Sequence, residues 1–182
     1  SFFPEPVMLK EAMKSPVNYG KDKSDHIKKL VGIADLQLKP YKKVESQIKE
    51  ALLSNDPWSR YWGCIVASSH GQSPEGIVHL TKNLAKDDPE PLVRCRAAEF
   101  LGLTGKGDPK PIIKQALKMA TSEVEINLIL NTVVLLQDGK SGCDFHDLSN
   151  EDVNHGGRYV EARVAYLSGK KPPPKKSKRK KK

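Results

Sequence analysis

Apolar residues recur along most of the chain at the spacing of one face of an α-helix. Ile27, Leu30, Val31 and Ala34 make one stripe, and Val44, Ile48, Ala51 and Leu52 make a second after the interruption at Pro40. No window alternates with period two, so no sheet is expected. Residues 1–24 read as an irregular lead-in with one short helix over Val7 to Met13, after which Ser15, Pro16, Asn18 and Gly20 break the pattern.

From residue 44 the chain repeats itself. Asp56-Pro57 precedes Arg60, Gly63 and a helical run to Gly71, and Asp88-Pro89 precedes Arg94, Ala97, Ala98 and a run to Gly105. Each run follows another helix, over Val44 to Leu53 and over Pro74 to Ala85. Arg60 to Arg94 and Gly71 to Gly105 are both steps of 34 residues. A third pair opens at Asp108-Pro109 and continues from Ser122, which with Glu125 reads as a capping box, to Gln137. Asp56-Pro57, Ser73-Pro74, Asp88-Pro89 and Asp108-Pro109 each place a capping oxygen before a proline whose missing N–H and fixed φ suit the first helical position. Gly71, Gly105 and Gly139 stand where helix stops are expected. Paired helices at this period predict a helical repeat array. Residues 138–157 read as a polar loop and Tyr159 to Leu167 as a last helix.

Composition changes the picture at the ends. The chain has 182 residues with 31 Lys or Arg against 22 Asp or Glu. Residues 170–182 hold nine of those cations and no acid, so the rest of the chain is formally neutral. This run, with its three prolines, is expected to be a disordered basic tail. Three cysteines exclude a dense disulfide framework, and no apolar run is long enough for a membrane span. The chain opens Ser-Phe-Phe-Pro with no initiator Met and no signal-peptide pattern, as a piece of a longer protein would. Its localisation is not set by the sequence.

Catalytic signals are weak. Cys143, Asp144, His146 and Asp147, with His155 nearby, have the look of a metal site but fall short of four Cys or His ligands. Gly139-Lys140-Ser141 lacks the upstream glycine and strand of a phosphate loop. Cys64 and Cys95 sit among apolar residues, as packing cysteines do, with His70 and His79 as the only bases to consider. Trp58, Tyr61 and Trp62 share a helical face with Ile65, which suits packing between units or, more sharply, a sugar- or peptide-stacking surface. Lys175, Lys176, Lys178 and Arg179 could contact a polyanion. The absence of a nucleic-acid motif in the body argues against specific nucleic-acid recognition.

Asp88 to Gly102 (DPEPLVRCRAAEFLG) resembles a HEAT repeat, which carries an Asp, then Val-Arg, small residues and Leu-Gly in its second helix. In that family the Asp and Arg form a ladder between units. Asp56 with Arg60 and Asp88 with Arg94 match, the first pair at shorter spacing. The third unit has Asn127 and Asn131 instead, as an atypical terminal repeat would. Leu53 to Gly63 (LSNDPWSRYWG) is more specific. With Ile33 to Leu36, Asp88 to Gly102 and Val160 to Leu167, it resembles the C-terminal helical region of bacterial formylglycine-type sulfatases, over roughly residues 30–168.

That resemblance implies a parent enzyme that hydrolyses sulfate esters, with calcium and formylglycine held in a separate α/β domain, and a periplasmic or secreted setting. None of Cys64, Cys95 or Cys143 lies in the Cys/Ser-x-Pro/Ala-x-Arg motif from which formylglycine arises, so no catalytic residue, metal or cofactor carries over. The expectation is an all-α, HEAT-like α-solenoid of about three helix pairs over residues 25–168, with flanking helices and a Lys-rich tail over 169–182. Its partners would be a sulfatase catalytic domain in cis and sulfated polysaccharide. The alternative is a free-standing scaffold of the same fold that binds protein or nucleic acid.

Overall fold

The computed structural model describes residues 16–139, 141–154 and 156–170. These residues contain nine α-helices, two short 3-10 helices and no strand. The helices are α1 (Pro16–Asp22), α2 (Ser24–Ala34), α3 (Tyr41–Leu52), α4 (Pro57–His70), α5 (Glu75–Asp87), α6 (Pro91–Leu103), α7 (Lys110–Met119), α8 (Glu123–Asp138) and α9 (Arg158–Leu167). The 3-10 helices are η1 (Asp35–Leu38) and η2 (Asn150–Asp152). The all-helical expectation holds. The short helix over Val7 to Met13 and the basic tail lie outside the described residues, whereas Pro16 to Asp22, read as irregular, is helical.

The start signals act as expected at two helices and are displaced at three. Asp56 caps α4 by accepting from the backbone of Trp58 and Ser59, with Pro57 in the first turn. Ser122 caps α8 by accepting from Glu125 N at 3.3 Å. The Glu125 carboxylate does not close the expected capping box. It reaches one residue further back and accepts from Thr121 N at 2.6 Å. Pro74, not Ser73, occupies the cap position of α5. Asp88 lies upstream of α6, whose cap is Glu90 and whose first-turn proline is Pro91. Asp88 still satisfies an orphan donor, accepting from Glu90 N at 2.9 Å. Pro109 caps α7, and Asp108 accepts from Lys110 N at 3.0 Å. A tandem proline explains two of these shifts: Pro91 and Pro111 also suit a first turn, so the helix starts later than the first Asp-Pro pair suggests.

Gly105 adopts φ +65° beyond the end of α6, and the backbone bonds Gly105 N to Gly102 O and Lys106 N to Leu101 O complete a Schellman ending. Gly139, expected to be a stop of this kind, is extended at φ −84°.

Two apolar clusters form the core. One runs from Leu36, Val44 and Ile48 to Phe100, the other from Leu92 and Val93 to Val160, Val164 and Leu167. Helix α6 belongs to both. Ala97, Phe100 and Leu101 face the first cluster, while Leu92, Val93, Cys95 and Ala98 face the second. Contacts mostly follow chain order: α3 touches α4, each of α5 to α8 touches its successor, and α2 with α4, α3 with α5, α4 with α6 and α6 with α8 also touch. Small residues permit the closest approaches. A Cβ on Gly63 would lie 3.1 Å from Ala51 Cβ, and one on Gly102 would lie 2.9 Å from Pro109 Cγ.

Two expectations about exposure fail. No residue of α2 is buried, and Ile27 and Val31 of its stripe are about half exposed. The loop after α8 is polar in composition, yet Phe145 and Leu148 are fully buried in the second cluster.

Candidate functional site

Polar residues join helices that lie some 30 residues apart in the chain. Arg60 enters α4 one turn after its cap, and its guanidinium reaches Asp88, between α5 and α6. Nε donates to Asp88 Oδ2 at 2.6 Å and Nη2 to Asp88 Oδ1 at 3.1 Å, a two-point grip on one carboxylate. Nη1 donates to the carbonyls of Ser54 and Asn55 at 2.9 and 3.0 Å. Both side chains are almost removed from solvent, at 12% and 1% exposure. The hydrogen bond to Asp88 is the largest effect holding the Arg60 guanidinium above its ordinary range. Of the Asp and Arg residues singled out in the sequence, Arg60 thus grips Asp88, 28 residues further on, rather than Asp56.

A second long-range pair lies earlier in the chain. His26 Nε2 of α2 sits 3.1 Å from Asp56 Oδ2, which also accepts from Ser59 Oγ at 2.7 Å. Partial burial pushes the Asp56 carboxyl up. The bonds from Ser59 and His26 outweigh that push and hold it below its ordinary value.

The next step is incomplete. Arg94 is buried, its Nε donates to Asp88 O at 2.5 Å, and its Nη1 has no partner. Arg60 to Asp88 spans 28 residues, and 28 residues beyond Arg94 stands Ser122, a cap with no carboxylate. Asn127 and Asn131 serve α9 instead. Arg163 Nη1 donates to the Asn127 carbonyl and side chain, each at 3.1 Å, and Nη2 donates to Asn131 Oδ1.

A buried network joins α4, α6 and α8. Arg96 donates from Nε and Nη2 to Tyr61 Oη at 3.2 and 3.1 Å, and from Nη1 to Glu99 Oε2 at 2.5 Å. Thr132 Oγ1 donates to the same carboxylate oxygen at 3.0 Å. The guanidinium also lies 5.3 Å from the Tyr61 ring centre. Burial opposes the Arg96 charge, but Glu99, itself buried, holds it on. Trp58, Tyr61 and Trp62 meet edge to face, with centroids 6.3 and 6.1 Å apart. Trp58 and Tyr61 pack against the second core cluster, so two members of this triad contribute to core packing.

The remaining sequence candidates do not assemble into a reaction site. Burial pushes the Cys64 thiol up, and it pushes Cys95 up to about 12, so neither holds the thiolate that nucleophilic chemistry requires. His70 Nε2 lies 3.2 Å from Leu36 O, and its ring meets Tyr41 edge on. Among the described residues no group of three His, Cys, Asp or Glu could hold a metal. Asp144 pairs with His146, while Asp147 accepts from Lys114 at 3.0 Å and pairs with Lys110 at 3.2 Å. Asp147 and Asp152 thus tether the loop to α7. His155, Lys175, Lys176, Lys178 and Arg179 lie outside the described residues.

His26, Arg96, Glu99, Thr132 and Arg163 escaped the sequence reading. The period itself was the available signal, because their partners lie 30 to 36 residues away, about one repeat. No helix among the described residues is long and apolar enough to cross a membrane. Compared with family models, curated proteins and solved structures, the chain gives no match.

Proposed function

We propose that this chain is a non-catalytic, HEAT-like solenoid that serves as the accessory region of a formylglycine-type sulfatase. The observation that carries the repeat reading is the buried two-point bond from Arg60 to Asp88, which would join the Arg of one unit to the Asp of the next. The contacts between helices two apart, α3 with α5, α4 with α6 and α6 with α8, support stacked pairs. The link to sulfatases rests on the resemblance of Leu53 to Gly63 and of Asp88 to Gly102. Within those segments Asp56, Arg60 and Asp88 hold helix to helix and Gly63 lets α4 approach α3, so the motif's residues are accounted for by stacking rather than by chemistry.

The partner in this reading is the catalytic domain on the same polypeptide, which acts on sulfate esters such as sulfated polysaccharide. The array extends the substrate cleft or sets assembly. The reading frame upstream of Ser1 tests this directly. The expected result is an α/β domain containing Cys/Ser-x-Pro/Ala-x-Arg, together with lost polysaccharide turnover or assembly when residues 30–168 are removed from that protein. A start codon just before Ser1 would overturn the sulfatase link and leave a free-standing scaffold.

A further inference from the structure

Helices α8 and α9 lie side by side and run the same way. Gly157 before α9 lies against Glu123 at the start of α8, Arg163 bonds Asn127 and Asn131 midway, and Gln137 Nε2 donates to Leu167 O at 3.1 Å near the far end. Val160, Val164 and Leu167 turn one face of α9 into the core. The opposite face carries Tyr159 and Tyr166, which are 70% and 76% exposed. The neighbouring stripe of α8 carries Val124 and Leu135, at 56% and 45%.

These side chains form one surface. Tyr159, Arg163 and Tyr166 recur at helical spacing, as do Val124, Asn131 and Leu135. The Arg163 guanidinium crosses the seam between the two stripes to reach Asn131. Two of the four apolar residues are tyrosines, whose rings are apolar and whose hydroxyls favour water, the type suited to a membrane interface.

Cations border this surface. Arg158 and Lys170, both exposed, stand just before Tyr159 and just beyond the end of α9. From Lys170 the sequence continues with eight more Lys or Arg and no acid. Residues 123–182 carry twelve Lys or Arg against eight acids. Of those acids, Glu125 and Asp152 are buried, Asp147 pairs with Lys110 and Lys114, and Asp144 pairs with His146. Glu123, Asp138, Glu151 and Glu161 are left to oppose the twelve cations.

We infer that this chain docks on an anionic lipid bilayer through the α8–α9 face, with the basic run 170–182 supplying the attraction. The tyrosine rings and the aliphatic side chains enter the boundary between headgroups and acyl chains, while the lysines stay among the anionic headgroups. A nucleic-acid strand would stack on the tyrosines but has no use for Val124 and Leu135. The inference does not draw on the sulfatase link. The upstream reading frame decides that link, and lipid binding decides this one.

Cosedimentation of the full chain with vesicles is the test, using phosphatidylglycerol and phosphatidylcholine in equal parts against phosphatidylcholine alone. Wild type should bind the anionic vesicles, bind the neutral ones at least about tenfold more weakly, and let go as salt rises. Tyr159→Ser/Tyr166→Ser should weaken binding at least about tenfold, and removal of residues 171–182 at least about a hundredfold. Both tyrosines are solvent-exposed, so circular dichroism should show that variant folded. Leu53→Ser, at an exposed apolar position outside α8 and α9, should bind like wild type. A full chain that ignores the anionic vesicles overturns the inference, as does equal binding to the neutral ones. So does a tyrosine variant or a truncation that binds like wild type, or a Leu53 variant that loses as much as the tyrosine variant. Heparin or a single-stranded oligodeoxynucleotide that binds through the same tyrosines, where the vesicles do not, would overturn it and assign the face to a glycan or a nucleic acid.

Discussion

Helices α2 and α6 are of similar length and opposite fate. Eleven of the thirteen residues of α6 are buried, including Arg94 and Glu99, and none of the eleven residues of α2 is. The stripe in α2 is the clearer amphipathic pattern, while α6 is apolar or small nearly all round. A helix apolar on every side is one that neighbours surround. Helix α6 touches α4, α5, α7 and α8, whereas α2 has neighbours toward one side of the stack. Burial is therefore set by place in the order of helices, and a stripe reports only that a helix wants a neighbour. The same contrast governs the polar pairs: Arg60–Asp88 is almost removed from solvent, and His26–Asp56 is partly exposed.

The largest expected effect comes from breaking the inner rung. Asp88→Ala strips a guanidinium that is 12% exposed of its two-point partner and leaves Glu90 N without its acceptor. Urea unfolding should show a loss of about 3–5 kcal/mol. Ile27→Ala in α2 removes a side chain that is already half exposed and should cost about 1 kcal/mol or less. Equal losses at the two sites would contradict the contrast between the buried Arg60–Asp88 pair and the exposed α2.

The glycines of the two regions should respond with opposite signs. A Cβ on Gly102 in α6 meets Pro109 Cγ at 2.9 Å and Leu136 Cδ2 at 3.0 Å. The proline ring cannot swing aside, so the overpacking of Gly102→Ala, about 1–3 kcal/mol, should exceed the gain in helix propensity. A Cβ on Gly32 in α2 meets nothing within 4 Å. Gly32→Ala should therefore stabilise the protein by up to about 1 kcal/mol. Thermal unfolding of both variants checks the pair of signs.

The helices and their order were legible because burial imposes a local period, and the Asp56 cap was legible because capping is a local bond. The long-range rungs were not. Nothing near Arg96 in sequence announces Tyr61 or Thr132, which reach it only once α4 and α8 are placed beside α6. Phe145 and Leu148 were hidden by the polar residues around them, although two isolated large apolar side chains in a loop can anchor it. The sequence has no carboxylate at Ser122, 28 residues beyond Arg94, and Arg94 Nη1 has no hydrogen-bond partner. Ser122→Asp places a carboxylate at that step and keeps a capping residue. It should stabilise the protein by about 1 kcal/mol, and the gain should vanish in an Arg94→Gln background. A gain that persists there would come from the cap alone.

The smallest effect, and the sharpest on the outer rung, is its pH dependence. The Asp56 carboxyl is held below its ordinary value by Ser59 and His26. A depressed folded pKa means that the ionised carboxylate favours the folded state. Its contribution is present above the unfolded value, near about 3.9, and is lost as pH falls through the folded one. Asp56→Asn keeps a capping oxygen and removes the charge. At pH 7 the variant should be less stable than wild type by about 1 kcal/mol or less, because the rung is partly solvated. Urea midpoints measured from pH 7 down to pH 3 should converge below about pH 4, where wild type loses the same charge by protonation. Midpoints that stay parallel over the whole range would mean that the His26–Asp56 pair acts through its hydrogen bonds alone and that, of the two pairs, only Arg60–Asp88 acts through charge.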